Sequence, residues 1–387
     1  MSALVTAVSC ALAATASADT PALILTQSHL VKVNGKFKPG AAKLHVLEGV
    51  GGEVKQTTVE DPDSNVFHKA LPWRSGLLTV GGMKAALKHW TQNKQGQWTA
   101  RTLWIGEFGG RFDRLRDLEI GDVDGDGADE LVMATHDQGI VAIGDPTGDD
   151  PKRFTVDVQT HGRTPDTFVH EIELGDVDGD GRKEVYCTPS DRNKKSGTGQ
   201  KGGVDRYTFV DGVWRRSKVI RWKDAHAKEI LVADVDGDGT DELYAAREAR
   251  SGGPNTVEVV RLIPEGKGWA SKTVATLPDR LARFLVAGDV DGDGKVEIVA
   301  STFKGGLWLL RQKGDGTFGN TLIDADSGGF EHAVHVDDLD GDGALEIYVA
   351  ADTQRALRRY VWNGQGFDRT KVIDLLPGHI TWSIGRK

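Results

Sequence analysis

The feature that most constrains this chain is an acidic loop of nine residues, D-x-D-x-D-G-x-x-E, that occurs five times. It reads GDVDGDGADEL at 121–131, GDVDGDGRKEV at 175–185, ADVDGDGTDEL at 233–243, GDVDGDGKVEI at 288–298 and DDLDGDGALEI at 337–347. The first aspartates are Asp122, Asp176, Asp234, Asp289 and Asp338, so successive copies start 54, 58, 55 and 49 residues apart. A near-constant interval of this kind is the signature of a repeat architecture, in which each repeat is one supersecondary unit.

Each copy sits in the same surroundings. A short strand pattern precedes it (RDLEIGD, HEIELGD, EILVAD, RFLVAGD) and an apolar β-rich run follows it (ELVMAT, EVYCTP, ELYAAR, EIVAST, EIYVAA). A third strand and a Gly-containing hairpin into a fourth complete the unit, as in DGVWRRSKVI and GKGWASKTV. Four strands in some fifty residues match one propeller blade and are too long for a β-helix coil. An aromatic opens each fourth strand (Trp98, Phe154, Trp214, Trp269, Phe318, Phe367), a pattern expected of packing anchors between blades.

The ends set the blade count. SNVFHKALPWRSGLLTVGG at 64–82 fits the same frame with its loop, KALPWRSG, stripped of acidic ligands, and DPDSN at 61–65 imitates an acidic loop out of phase. HITWSIG at 379–385 reads as a first strand after which the chain stops. ALILTQSHLVKVNGKF at 22–37 reads as second, third and fourth strands with no first. The expected fold is therefore all-β: a seven-bladed β-propeller of four-stranded blades, its ring closed by pairing N- and C-terminal strands in one blade. Such closure leaves few free edges and suits a monomer.

The loop supplies hard oxygen donors at positions 1, 3, 5 and 9. They are Asp122, Asp124, Asp126 and Glu130; Asp176, Asp178, Asp180 and Glu184; Asp234, Asp236, Asp238 and Glu242; Asp289, Asp291, Asp293 and Glu297; and Asp338, Asp340, Asp342 and Glu346. Carboxylates alternating along a turn suit Ca²⁺, which accepts many oxygens in flexible geometry, and the glycine at position 6 permits the sharp bend. An EF-hand is excluded. It needs a glutamate at position 12 and flanking helices, whereas position 12 here is Met133, Cys187, Ala245, Ala300 or Val349 and strands flank the loop.

These loops, their place between first and second strands and the seven-fold count resemble the FG-GAP/VCBS repeat propellers, a group similar to the integrin α-subunit head and to several secreted lectin-like and lyase propellers. The resemblance spans the chain after its N-terminal segment. It implies about five structural calcium ions and leaves function open, because such propellers bind proteins, bind sugars or cleave polysaccharides. With a formal net charge of −9, five divalent ions would bring the chain to about +1. The acidic balance is thus largely metal ligand. No basic stripe suggests nucleic acid.

Residues 1–18 read as a secretory signal peptide, apolar and small, ending in Ala16-Ser17-Ala18; residues 19–387 form a single propeller domain in this reading. Lipidation at Cys10 is the alternative. Removal of the signal leaves Cys187 alone, so an exported chain relies on its core and metals rather than on an intrachain disulfide. No internal run is long and apolar enough to span a membrane.

The entries to the innermost strands carry unusual polarity: Arg116-Asp117, His170-Glu171, His226 with Lys228-Glu229, Arg283, His332 and His379, with His68, His335 and, more loosely, His161 in the same phase. A channel mouth so lined would bind an anionic sugar, a carboxylated peptide or, through its histidines, a transition metal. Two function classes follow. The first is a non-catalytic exported binding or scaffolding module for a carbohydrate or protein ligand. The second, implied by the lyase members of the resemblance, is a uronate polysaccharide lyase in which His170 or His332 abstracts a proton and Arg116 or Arg283 neutralises the carboxylate.

Overall fold

In the computed structural model of the chain, the structure describes residues 21–110, 113–136, 138–146, 155–159, 167–191, 200–250 and 252–387. The signal segment, Cys10, Phe154 and His161 lie outside them. The described strands form seven antiparallel sheets, each with four strands in radial order and one with a short fifth strand besides, and no helix occurs among the described residues. Blades 1 to 6 follow the chain. Their innermost strands are Val66–Trp73, Leu115–Gly121, Thr167–Gly175, Ala227–Ala233, Ala282–Gly288 and Val334–Asp337. Blade 7 takes its innermost strand, His379–Arg386, from the C-terminus and its other three from the N-terminus.

Burial explains the sequence pattern from axis to rim. Second strands such as Glu130–Thr135 and Glu346–Ala351 are buried along their whole length, because each blade face is covered by a neighbouring blade; hence their unbroken apolar runs. Fourth strands such as Val213–Trp222 are largely exposed and polar. The core therefore lies between blades. Tyr244 of blade 4 meets Phe318 of blade 5 edge-on with centroids 5.8 Å apart, and Tyr186 of blade 3 meets Trp269 of blade 4 at 6.1 Å. These two fourth-strand aromatics are interblade anchors, each worth about 0.5–1.5 kcal/mol beyond its buried area.

Ring closure differs from expectation in its detail. Residues 22–37 do not supply three blade strands. Ala22–Val33 is one long second strand, paired with His379–Arg386 on one side and Ala42–Glu48 on the other, and Lys55–Asp61 is the fourth strand. The Asn34-Gly35 turn only folds the short strand Lys36–Pro39 back onto the outer end of the long one. The seam is tied by side chains: Thr26 Oγ1 to Ser383 Oγ at 2.7 Å, Gln27 Nε2 to Thr381 Oγ1 at 2.9 Å and Trp382 Nε1 to Ser28 Oγ at 2.7 Å.

Blade 1 also departs from the reading. Most of KALPWRSG is strand: Val66–Trp73 turns at Arg74-Ser75 directly into Gly76–Gly82. The acidic DPDSN is an interblade clamp, in which Lys88 of blade 1 donates to Asp61 at 2.9 Å and Asp63 at 3.1 Å. Arg358 of blade 6 clasps Asp324 and Asp326 of blade 5 in the same manner.

Candidate functional site

The acidic loops lie on one face of the ring, where innermost strands turn into second strands. Each loop is built by its own side chains. Asp122 accepts from the N–H groups of Gly125 at 2.7 Å and Gly127 at 3.0 Å, and Glu130 accepts from Val123 N–H at 2.9 Å. Glycines 125 and 127 both have positive φ, +81° and +89°, and the pair recurs in the other four loops. Position 4 thus needs glycine as much as position 6 does. Four carboxylate groups converge within 4.8 Å in blades 3, 4 and 6, through Asp176/Asp178/Asp180/Glu184, Asp234/Asp236/Asp238/Glu242 and Asp338/Asp340/Asp342/Glu346. In blades 2 and 5 three converge, Asp122/Asp124/Glu130 and Asp289/Asp291/Glu297, leaving Asp126 and Asp293 outside the cluster.

Burial pushes Glu130, Glu184, Glu242 and Glu297 up to about 7, and raises Glu346 as well. Buried carboxylates crowded in this way need a cation to stay ionised. All-oxygen donors at this spacing can hold a metal ion.

The opposite face is irregular. In blades 2 to 5 the residue six before the first loop aspartate is Arg116, His170, Lys228 or Arg283. Each sits at a break in strand register: between Leu115 and Asp117, Val169 and Ile172, Ala227 and Ile230, and Ala282 and Phe284. His68 and Trp382 occupy the corresponding breaks in blades 1 and 7. A bulge re-aims a side chain that regular pleating would bury between blades. Here the bulges turn polar groups from six blades toward the channel mouth.

They meet there. Arg116 pairs with Glu331 at 3.3 Å and lies over the Trp382 ring at 5.1 Å. Arg283 contacts Glu248 at 3.5 Å and lies over Phe330 at 5.7 Å. Lys228 and His226 approach the same Glu248 at 3.8 and 3.6 Å. His170 is buried, edge-on to His136 at 4.9 Å, and its Nε2 has no hydrogen-bond partner; nor does the buried Nε of Arg283.

Burial, reinforced by Lys228 and the two arginines, holds His170 well below its ordinary value and so neutral. Burial and Arg283 push Lys228 down to about 8. Burial alone would raise Glu248, but Lys228 and Arg283 pull it down to about 2.

Beneath the mouth the channel turns acidic. Asp117 accepts from Ile172 N–H at 2.8 Å and Glu229 from Leu285 N–H at 2.8 Å, so each stitches its innermost strand to the next. Lys69 binds Asp117 at 2.9 Å and also Glu119. Burial would lower Lys69, yet those carboxylates hold it well above its ordinary value. Burial and neighbouring acids raise Glu171, Glu173 and Glu229 well above theirs.

Arg116, Asp117, His170, Glu171, His226, Lys228, Glu229 and Arg283 are thus gathered about the channel, and two other predicted residues are not. His332 is fully buried between blades 5 and 6, bonded to Thr302 O and Ser327 Oγ, both at 2.7 Å. Its strand begins only at Val334, and a φ of +56° turns it off the mouth while Glu331 takes its place. His379, the first residue of the closing strand, stacks on its strand partner His29 at 4.8 Å. Among the described residues no three donors at the mouth lie at metal-binding distance from one another.

The FG-GAP-like repeat family matches residues 122–187, 234–300 and 289–349. This chain is a seven-bladed β-propeller that carries FG-GAP-like repeats at three positions. No curated protein matches it in sequence. Solved propellers share its fold at low identity. A putative 6-phosphogluconolactonase of Bacteroides fragilis is 14% identical with a TM-score of 0.60, over 96% of this chain and 99% of that one. The periplasmic gluconolactonase of Pseudomonas aeruginosa is 13% identical with a TM-score of 0.56, over 95% and 99%. Chaetomium thermophilum Sqt1, solved bound to the N-terminus of a ribosomal protein, is 10% identical with a TM-score of 0.53, over 89% and 84%. At these identities the likeness is one of fold.

Sequence reasoning on this propeller missed Glu248, Glu331, His136, Trp382 and Phe330. A second offset would have found two of them. The residue six after the loop glutamate ends the second strand beside the mouth: His136, Ser190, Glu248, Phe303 and Asp352. Trp382 and Phe330 carry no such mark, because blade 7 lacks the loop and Phe330 precedes a shortened strand.

Proposed function

We propose that this propeller is an exported, calcium-stabilised binding module, non-catalytic and monomeric, whose ligand docks on the channel mouth. Ca²⁺ at the five loops neutralises carboxylates that otherwise repel and pins each first strand to its second. Extracellular calcium modules bind in the ~10⁻⁴–10⁻³ M range, in keeping with an exported chain. The observation that carries the ligand site is a set of buried mouth atoms without hydrogen-bond partners, His170 Nε2 and Arg283 Nε among them, within a ring of cations and aromatic walls. Buried polar groups are rarely left unsatisfied. An acceptor such as a carboxylate, on a carbohydrate or a peptide, would meet them, with Trp382 and Phe330 offering flat faces beside it.

The test is binding of the full chain to immobilised acidic and neutral polysaccharides and carboxylate-bearing peptides. Acidic members should be retained, and His170→Ala and Arg283→Gln should abolish retention while leaving the melting temperature within a few degrees. Unaltered binding by both variants would remove the mouth as the site.

One observation supports a second reading, a uronate lyase: a neutral His170 beside two arginines is suited to proton abstraction next to a neutralised carboxylate. Against it, all five tyrosines are buried on second or third strands away from the mouth. Ultraviolet-absorbing unsaturated products from uronate polymers would establish it, and their absence would leave binding alone.

A further inference from the structure

The five loops are chemically alike in sequence and unlike in their electrostatic company. In four blades an arginine of the third strand binds the second loop aspartate. Arg206 reaches Asp178 at 2.6 Å. Arg261 reaches Asp236 at 3.3 Å and Glu242 at 3.0 Å. Arg311 binds Asp291 through two nitrogens at 2.9 and 2.6 Å. Arg359 contacts Asp340 and Glu346.

Strand register shows how each arginine arrives. Arg206, Arg261 and Arg359 lie opposite Tyr186, Tyr244 and Tyr348, two residues after the loop glutamate. Blades 2 and 5 have Val132 and Val299 there, facing Ile143 and Leu309. Blade 5 recovers an arginine from a different position: Ile298 pairs with Leu310, so Arg311 falls beside Glu297. In blade 2 Leu131 pairs with Gly144, and the residue that falls beside Glu130 is Asp145. The place of an arginine is taken by another carboxylate.

Among the described residues no cation contacts Asp122, Asp124, Asp126 or Glu130. Two cations of the next loop come near its backbone, Arg182 Nε within 3.9 Å of the β-position of Gly125 and Lys183 Nζ within 3.9 Å of that of Gly121, and neither forms an ion pair with a carboxylate of this loop.

An arginine on the second aspartate does two things. It supplies positive charge to the metal-free loop, and it competes with an incoming ion for a ligand. A loop without one is more repulsive when empty and less contested when filled, and ligand charge is the main setting of calcium affinity in such sites. We propose that the blade 2 loop is the high-affinity calcium site of this propeller and the point at which metal loss unfolds it, while the other four loops, each with a resident arginine, bind more weakly and tolerate vacancy. The third-strand residue at 145, 206, 261, 311 or 359 is then the element that sets each loop's calcium dependence.

The test is calorimetric titration of the full chain with CaCl₂ after chelation, with melting temperature followed at each calcium level. One site should bind about tenfold or more tightly than the rest, and the melting temperature should rise mainly as that site fills. Asp145→Arg should remove the tight class and shrink the calcium-dependent rise. Arg311→Asp should move one weak site into the tight class, and it decides the matter if Asp145→Arg fails to fold. Five equivalent sites, or a titration unchanged in both variants, would overturn the assignment. This test does not involve the mouth, so its failure leaves the ligand reading untouched.

Discussion

The two faces of the propeller obey different rules. On the loop face the same nine-residue pattern recurs in five of the seven blades, with the same glycine conformations and the same bond from the position-6 glycine N–H to the first aspartate. On the mouth face the corresponding position holds His68, Arg116, His170, Lys228, Arg283 and Trp382 in turn. A structural task repeated around a ring has one best local solution, so repetition marks scaffold. A single ligand in the centre of the ring meets each blade differently, so divergence at one repeat position marks the site. On the function proposed above, one face holds metal and the other recognises a ligand.

The contrast can be broken from the scaffold side. Trp269→Ala empties an interblade anchor against Tyr186 and should cost about 3–5 kcal/mol, read by urea unfolding in saturating calcium, with mouth binding retained by the folded fraction. Loss of binding at full folding would mean that the two faces are not separable.

A smaller effect sharpens the boundary at His332, which lies in mouth phase but in scaffold surroundings. Burial holds it at about 4, below its ordinary value near 6.5. The folded state thus keeps it neutral, and the unfolded state takes up its proton first. Its contribution is complete above about pH 6.5 and is lost as pH falls toward 4, by on the order of 3 kcal/mol. Unfolding free energies at pH 7 and 4.5 should therefore differ less in His332→Gln than in the native chain. Equal pH dependence in the two would place the acid sensitivity elsewhere. Smaller again, His170→Ala removes a buried ring that packs edge-on against His136 and should cost about 1–2 kcal/mol.

Much of this was legible in the sequence, for identifiable reasons. Loop carboxylates act locally, so their spacing revealed the register and, together with the chain ends, the blade count. The mouth was legible through strand phase, which marked Arg116, His170, Lys228 and Arg283. What escaped depended on backbone detail. KALPWRSG falls where the repeat frame expects a loop, yet it is mostly strand, with Pro72 paired with Leu77. The shortened strand at Val334–Asp337 exchanged His332 for Glu331. Glu248 came from the far end of a second strand, where no motif drew the eye. The register breaks that expose the mouth residues have no sequence mark of their own.

The central claim, that the repeated loops are a metal-held scaffold, is tested most directly by thermal melting of the full chain in millimolar calcium and in EDTA. The account predicts a melting temperature lower by on the order of 10 °C or more in EDTA, since ligands bound only by the native state stabilise it by mass action. The same melting temperature in both would contradict it.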